Sequence, residues 1–140
     1  MRTAALWRLE VFVPGRPAPQ GSKINYGKGR LVESSKAVGP WRTQVAYNVA
    51  QAWMAPPLAG PVRLRLEFVM PRPSATPKRR TPPAIKKPDW DKISRAVCDA
   101  LTTAGVYHDD SQVVRAEVIK RLAEIDETPG VLIHVGEVAG

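Results

Sequence analysis

A small α+β domain, with a mixed sheet and two principal helices, is the fold class this sequence predicts, and three observations predict it. In residues 62–70, Val62, Leu64, Leu66, Phe68 and Met70 alternate with Arg63, Arg65 and Glu67, as in a strand with one buried face. Between Trp90 and Ala104 the period changes. Trp90, Ile93, Val97, Ala100, Leu101 and Ala104 form an apolar helical stripe, and Gly105 follows as a left-handed cap. Finally, 140 residues with 44% apolar and 24% charged side chains suit one globular domain, 1–140, and exclude both wholesale disorder and two full domains.

The remaining elements follow in chain order. Residues 6–14, LWRLEVFVP, are rich in aliphatic and aromatic side chains and end at Pro14-Gly15, which predicts a first strand. The loop GRPAPQGSK carries Arg16 and Lys23, and INYGKGRLVE then reads as a short hairpin turning at Gly27-Lys28-Gly29. From Trp41 to Met54, Trp41, Val45, Val49 and either Ala52 or Trp53 share one helical face, until Pro56-Pro57 ends the helix. After the 62–70 strand comes a loop, 71–88, with six prolines, six Lys/Arg and no acid, predicted to be a mobile surface segment. VYHDDSQ is a turn, VVRAEVIKRLAE a strand, Asp126 to Gly130 a second turn, and VLIHVGEV the last strand. Trp41, Trp53 and Trp90 all lie on helical stripes and are expected in the core.

Compartment follows from what is lacking. Cys98 is the one cysteine, so the disulfide-stapled secreted class is excluded. MRTAALWRLEVFVPG has no apolar stretch of signal-peptide kind, and no run approaches the ~18 apolar residues of a membrane span. The expectation is a soluble cytoplasmic protein without a membrane partner.

Charge is distributed unevenly. Residues 1–88 hold 16 Lys/Arg and 3 acids, whereas residues 89–140 hold 5 and 10. A basic part joined to an aspartate-rich part suggests a polyanion gripped by one and processed by the other, since carboxylates repel phosphates unless a metal ion intervenes. In the basic loop, Arg72, Lys78, Arg79, Arg80, Lys86 and Lys87 are candidate phosphate contacts, with Arg16 and Lys23 of the first loop beside them.

The acids converge on one chemistry. Asp89 and Asp91 open the second helix, and Asp109-Asp110 lie where the next strand begins. One aspartate could cap the helix and one could turn the chain, but four beside a cationic loop suit a hard divalent cation, Mg²⁺ or Mn²⁺. Such a site hydrolyses phosphodiesters by polarising the phosphoryl oxygen and supplying hydroxide. A helix of 15 residues is ~22 Å long, so Asp110 reaches Asp89 and Asp91 only if the following strand brings it back. His108 and His134 are too isolated for a zinc site, and Cys98 is expected to face away from the aspartates.

KPDWDKISRAVCDAL followed by GVYHDDSQVV resembles the signature of the RusA-type Holliday junction resolvases, as do VPGRPAPQGSK and the proline-rich basic loop. The resemblance implies a small mixed α/β fold, a homodimer, and Mg²⁺-dependent paired nicking of four-way DNA junctions in a bacterial or phage-infected cell. By position it puts the catalytic, metal-binding aspartates on Asp89, Asp91 and Asp110, with Asp109 adjacent. It puts a functional family Lys on Arg95, where Arg keeps the charge but not the ability to lose a proton. Lys92 stands where the family often has Asn, and Lys120 resembles a basic position of the family, expected to contact DNA phosphate unless it is a solvated strand edge. Two rivals stay open: a non-catalytic basic nucleic-acid-binding protein, and a flap or other branched-DNA nuclease.

Overall fold

The computed structural model describes residues 6–20, 23–25, 31–33 and 36–139, with 23–25 and 31–33 known by their backbone. Among these residues, six strands and two α-helices occur in the order β1 (Leu9–Pro14), β2 (Lys23–Asn25), β3 (Leu31–Glu33), α1 (Val38–Ala52), β4 (Val62–Met70), α2 (Trp90–Thr103), β5 (Val113–Leu122) and β6 (Gly130–Glu137). The predicted α+β class holds, and most element boundaries fall within a few residues of the sequence pattern. β2 and β3 pair antiparallel as the predicted hairpin, whose turn at Gly27-Lys28-Gly29 lies outside the described residues.

The main sheet has strand order β1-β6-β4-β5. β6 runs antiparallel to both its neighbours, whereas β4 and β5 are parallel and joined by the crossover containing α2. Register makes the core. Val13, Val131 and Phe68 lie side by side across β1, β6 and β4, and Leu9, Val135 and Leu64 form a second buried row. Trp41, Val45 and Val49 of α1 and Ile93, Ala96, Val97 and Leu101 of α2 join the same cluster. Each large aliphatic side chain so buried contributes about 1.5–3 kcal/mol. Gly130 is required by this packing, because a Cβ there would lie 2.2 Å from the Val13 carbonyl oxygen.

Two expectations change and one open alternative is resolved. Trp41 and Trp53 are buried, but Trp90 is 59% exposed, since the first residue of α2 projects beyond the sheet before the stripe begins at Ile93. Ala52 is exposed and Trp53 takes the buried place that the spacing left open between them. The loop 71–88 is not free chain: the Arg72 guanidinium donates to Thr81 Oγ1 and to the carbonyls of Pro77, Arg80 and Ala123, over 2.7–3.2 Å. Among the described residues, no helix is long and apolar enough to cross a membrane.

Candidate active site

At the front of α2, Asp89 occupies the N-cap with extended backbone, yet its side chain makes no capping hydrogen bond. Asp91 lies in the first turn. Both side chains are exposed, and neither has a hydrogen bond or ion pair with another described residue. Capping therefore does not account for them. The chain leading into Asp89 is held from β5: Lys120 Nζ donates to the carbonyls of Lys86 at 2.8 Å and Pro88 at 2.9 Å.

The other two aspartates differ from each other. Asp109 caps a short 3-10 turn, Asp110–Gln112: its Oδ2 accepts from the Ser111 N–H at 2.9 Å, while Gln112 Oε1 accepts from the Asp109 N–H. The Ser111 hydrogen bond holds the Asp109 carboxyl below its ordinary range. Asp110 instead turns toward the end of α2, where its Oδ1 accepts from Thr102 Oγ1 at 2.6 Å.

Asp99 joins Asp110 there. Burial, then the charge of Asp110 and a hydrogen bond with it, raise the Asp99 carboxyl above its ordinary range, against Arg42 at 4.0 Å and Arg95. Cys98 does not face away from every aspartate. Burial first and the charge of Asp110 second push its thiol up to about 11. It remains a packing residue, half-buried against the core, whose carbonyl accepts from Tyr107 Oη at 3.3 Å.

The candidate acids therefore fall at opposite ends of α2. From Asp89 to Thr102, the partner of Asp110, the helix rises about 20 Å. β5 does return along α2, but it starts beside the helix C-terminus, so Lys120 rather than Asp110 arrives at the front. Among the described residues, no three His, Cys, Asp or Glu side chains lie close enough together to hold a metal ion.

The cations sort by partner. Lys78, Arg79, Arg80, Lys86, Lys87 and Arg16 are exposed and form no ion pair among the described residues, whereas Arg72 braces its own loop. The Lys23 side chain lies outside the described residues. Arg95 is exposed, and its charge acts on Asp99 one turn onward, with no ion pair to Asp91.

Sequence reasoning missed Asp99 and the carbonyl-binding role of Lys120. The signal for Asp99 was present: Asp91, Arg95 and Asp99 follow at four-residue spacing, one charged stripe joining the two ends of α2. Nothing in the sequence announces the Lys120 contacts.

Residues 14–136 match the family model described as endodeoxyribonuclease RusA. The crossover junction endodeoxyribonuclease RusA of Escherichia coli (strain K12) is 33% identical to this chain over 104 residues, 74% of this chain and 76% of the relative. Proteins of the same name from Shigella sonnei (strain Ss046) and Enterobacteria phage 82 are each 32% identical over the same shares.

Proposed function

We propose, on the premise that this chain belongs to the endodeoxyribonuclease RusA family, that it cuts junctions with Asp89 and Asp91 of one protomer and Asp110 of a second. The chain is an endodeoxyribonuclease that resolves four-way (Holliday) junctions. Its site is assembled between protomers. The observation that carries this is the separation of the carboxylates by the length of α2.

The donor set is all oxygen and fits a hard divalent cation, Mg²⁺ or Mn²⁺. Asp89 and Asp91 offer carboxylates with no described partner, and Asp110 lies against Asp99, a close acid pair that a cation would relieve. When bound, the ion supplies charge stabilisation at the phosphoryl oxygen and a hydroxide nucleophile. The chain supplies the rest. Lys120 fixes the peptide before Asp89, and Lys78, Arg79 and Arg80 offer cations to the DNA backbone. Arg95 stands between the two carboxylate groups, one turn from Asp91 and one from Asp99. A twofold dimer gives two composite sites, matching the two symmetry-related strands of a junction.

Mixing Asp89→Asn and Asp110→Asn protomers tests this arrangement. In a heterodimer, one composite site then regains Asp89, Asp91 and Asp110 together while the other loses two ligands. The expected result is that each homodimer is inactive and the isolated heterodimer nicks one strand of a labelled four-way junction with Mg²⁺ or Mn²⁺. EDTA abolishes the nick, and matched duplex and flap DNA are cut far less. An inactive heterodimer beside an active native protein would overturn assembly between protomers.

A further inference from the structure

Beside Asp89 lies an open cleft of about 410 Å³, which the metal-site reading does not use. Its walls come from two segments, Arg16–Pro19 and Lys87–Asp89, with Ala37 and Lys92 at the sides. Pro17 and Ala18 are buried beneath it, and Pro88 adds a third apolar surface. Arg16, Lys87 and Lys92 stand at its rim, without an ion pair to any described residue. The cleft is preformed. One wall is tied to α2 by the Gln20 N–H, which donates to the Lys92 carbonyl at 3.0 Å, and the other is tied to β5 by Lys120.

An apolar floor with cations around it and a reactive carboxylate at its edge matches one chemical class, a nucleotide taken out of its stack. The flat base lies against proline and alanine, and its flanking phosphates meet Arg16, Lys87 and Lys92. Enzymes that hold an extruded base do so between apolar or aromatic side chains, and unstacking costs least where pairing is already broken. At the crossover of an opened four-way junction continuous stacking is interrupted, so a base there is extruded at less cost than one inside a duplex. We infer that this cleft receives one unstacked base of the nucleotide next to the scissile phosphate, and so contributes to selection of branched over duplex DNA. The inference rests on the nuclease reading with Asp89 at the cutting centre.

The test changes both partners. Ala37 is exposed on the rim, so Ala37→Trp fills the cleft without disturbing the core, and melting checks its fold. Junctions carry either a normal base or an abasic residue next to the nick position, and single-turnover cleavage is measured for each. The native protein should cut the abasic junction about tenfold more slowly, a loss on the scale of one stacked base. Ala37→Trp should cut the two equally. As a readout without cleavage, 2-aminopurine at that position should brighten when metal-free native protein binds, and stay dim with Ala37→Trp. Equal cutting of both junctions by native protein would overturn the base site and leave the nuclease reading intact. So would an abasic penalty that persists undiminished in Ala37→Trp. Failure to cut any DNA with Mg²⁺ or Mn²⁺ would overturn the nuclease reading itself, and the inference with it.

Discussion

Lys120 Nζ donates to the Pro88 carbonyl oxygen at 2.9 Å, so the peptide entering Asp89 is held by a cation from the neighbouring strand. A second bond, to the Lys86 carbonyl at 2.8 Å, holds the end of the basic loop as well. Lys120 is thus a positioning residue for Asp89. The sequence suggested a phosphate contact at this position, and the two roles predict different behaviour.

Lys120→Met removes both bonds and leaves the segment before Asp89 free to shift. A displacement of ~1 Å at a reacting group costs about a hundredfold in rate. Single-turnover cleavage should therefore fall ten- to a hundredfold, while junction binding changes little and Lys120→Arg recovers part of the rate. A phosphate contact would instead weaken binding and lower the salt slope by roughly 0.9, with the bound rate unchanged.

Replacing Lys78, Arg79 and Arg80 together by Ala should act on binding alone. These side chains are exposed and without ion pairs to described residues, so their removal costs little stability. Each phosphate contact contributes about −0.9 to the slope of log K against log salt, so three lost contacts flatten it by nearly three. An unchanged slope, measured by junction binding across salt concentrations, would show that the loop tip does not touch DNA. Arg72→Ala should behave differently, lowering the melting temperature, because Arg72 holds the loop to itself and to Ala123.

Acid should loosen the β4–β5 edge of the sheet and the turn after β5 first. Arg121 donates to both carboxylate oxygens of Glu127 at 2.7 Å and to Glu67 Oε2 at 2.8 Å. Chiefly through Arg121, the Glu127 carboxyl falls from an ordinary 4.5 to about 2, and that of Glu67 is lowered too. A depressed carboxylate favours the folded state above its unfolded pKa and loses that contribution as pH falls through the folded value. Melting temperature should therefore decline between about pH 4.5 and pH 2. Arg121→Met should melt lower at neutral pH and show a shallower decline. Parallel curves for the two proteins would remove Arg121 from this role.

Periodicity explains why β4 and α2 were legible in the sequence: each buries one face, and burial writes a pattern of two or of three and four. Trp90 misled because a stripe drawn from its helical position takes no account of where the sheet stops. Asp109 and Asp110 could not be separated by type, since they differ only in whether a backbone N–H or Thr102 meets the carboxylate. Arg72 and Lys120 were illegible in a deeper sense. Their targets are backbone carbonyls, which every residue has, so no choice of partner side chain records the contact. The separation of Asp89 from Asp110 was legible as a helix length, but the direction of return was not. It follows from the parallel pairing of β5 with β4, a property of the whole sheet.

Arg95 gives the most discriminating prediction, because its position admits two opposite outcomes. It is exposed, has no ion pair among the described residues, and stands one turn from Asp91 and one turn from Asp99. As an ordinary helix-surface cation it would contribute ~0.3–0.5 kcal/mol, and Arg95→Ala would be nearly silent in both melting and rate. As the cation of a composite site it meets the scissile phosphate or steadies the carboxylates on either side. Arg95→Ala should then lose most single-turnover activity with its melting temperature unchanged, whereas Arg95→Lys should retain much of it. The charge alone is what the two long side chains share, since a guanidinium cannot lose its proton and an ammonium can. If Lys restores the rate with the same pH profile as native protein, the role is electrostatic. If Arg95→Ala is fully active, Arg95 leaves the site and the aspartates act without it.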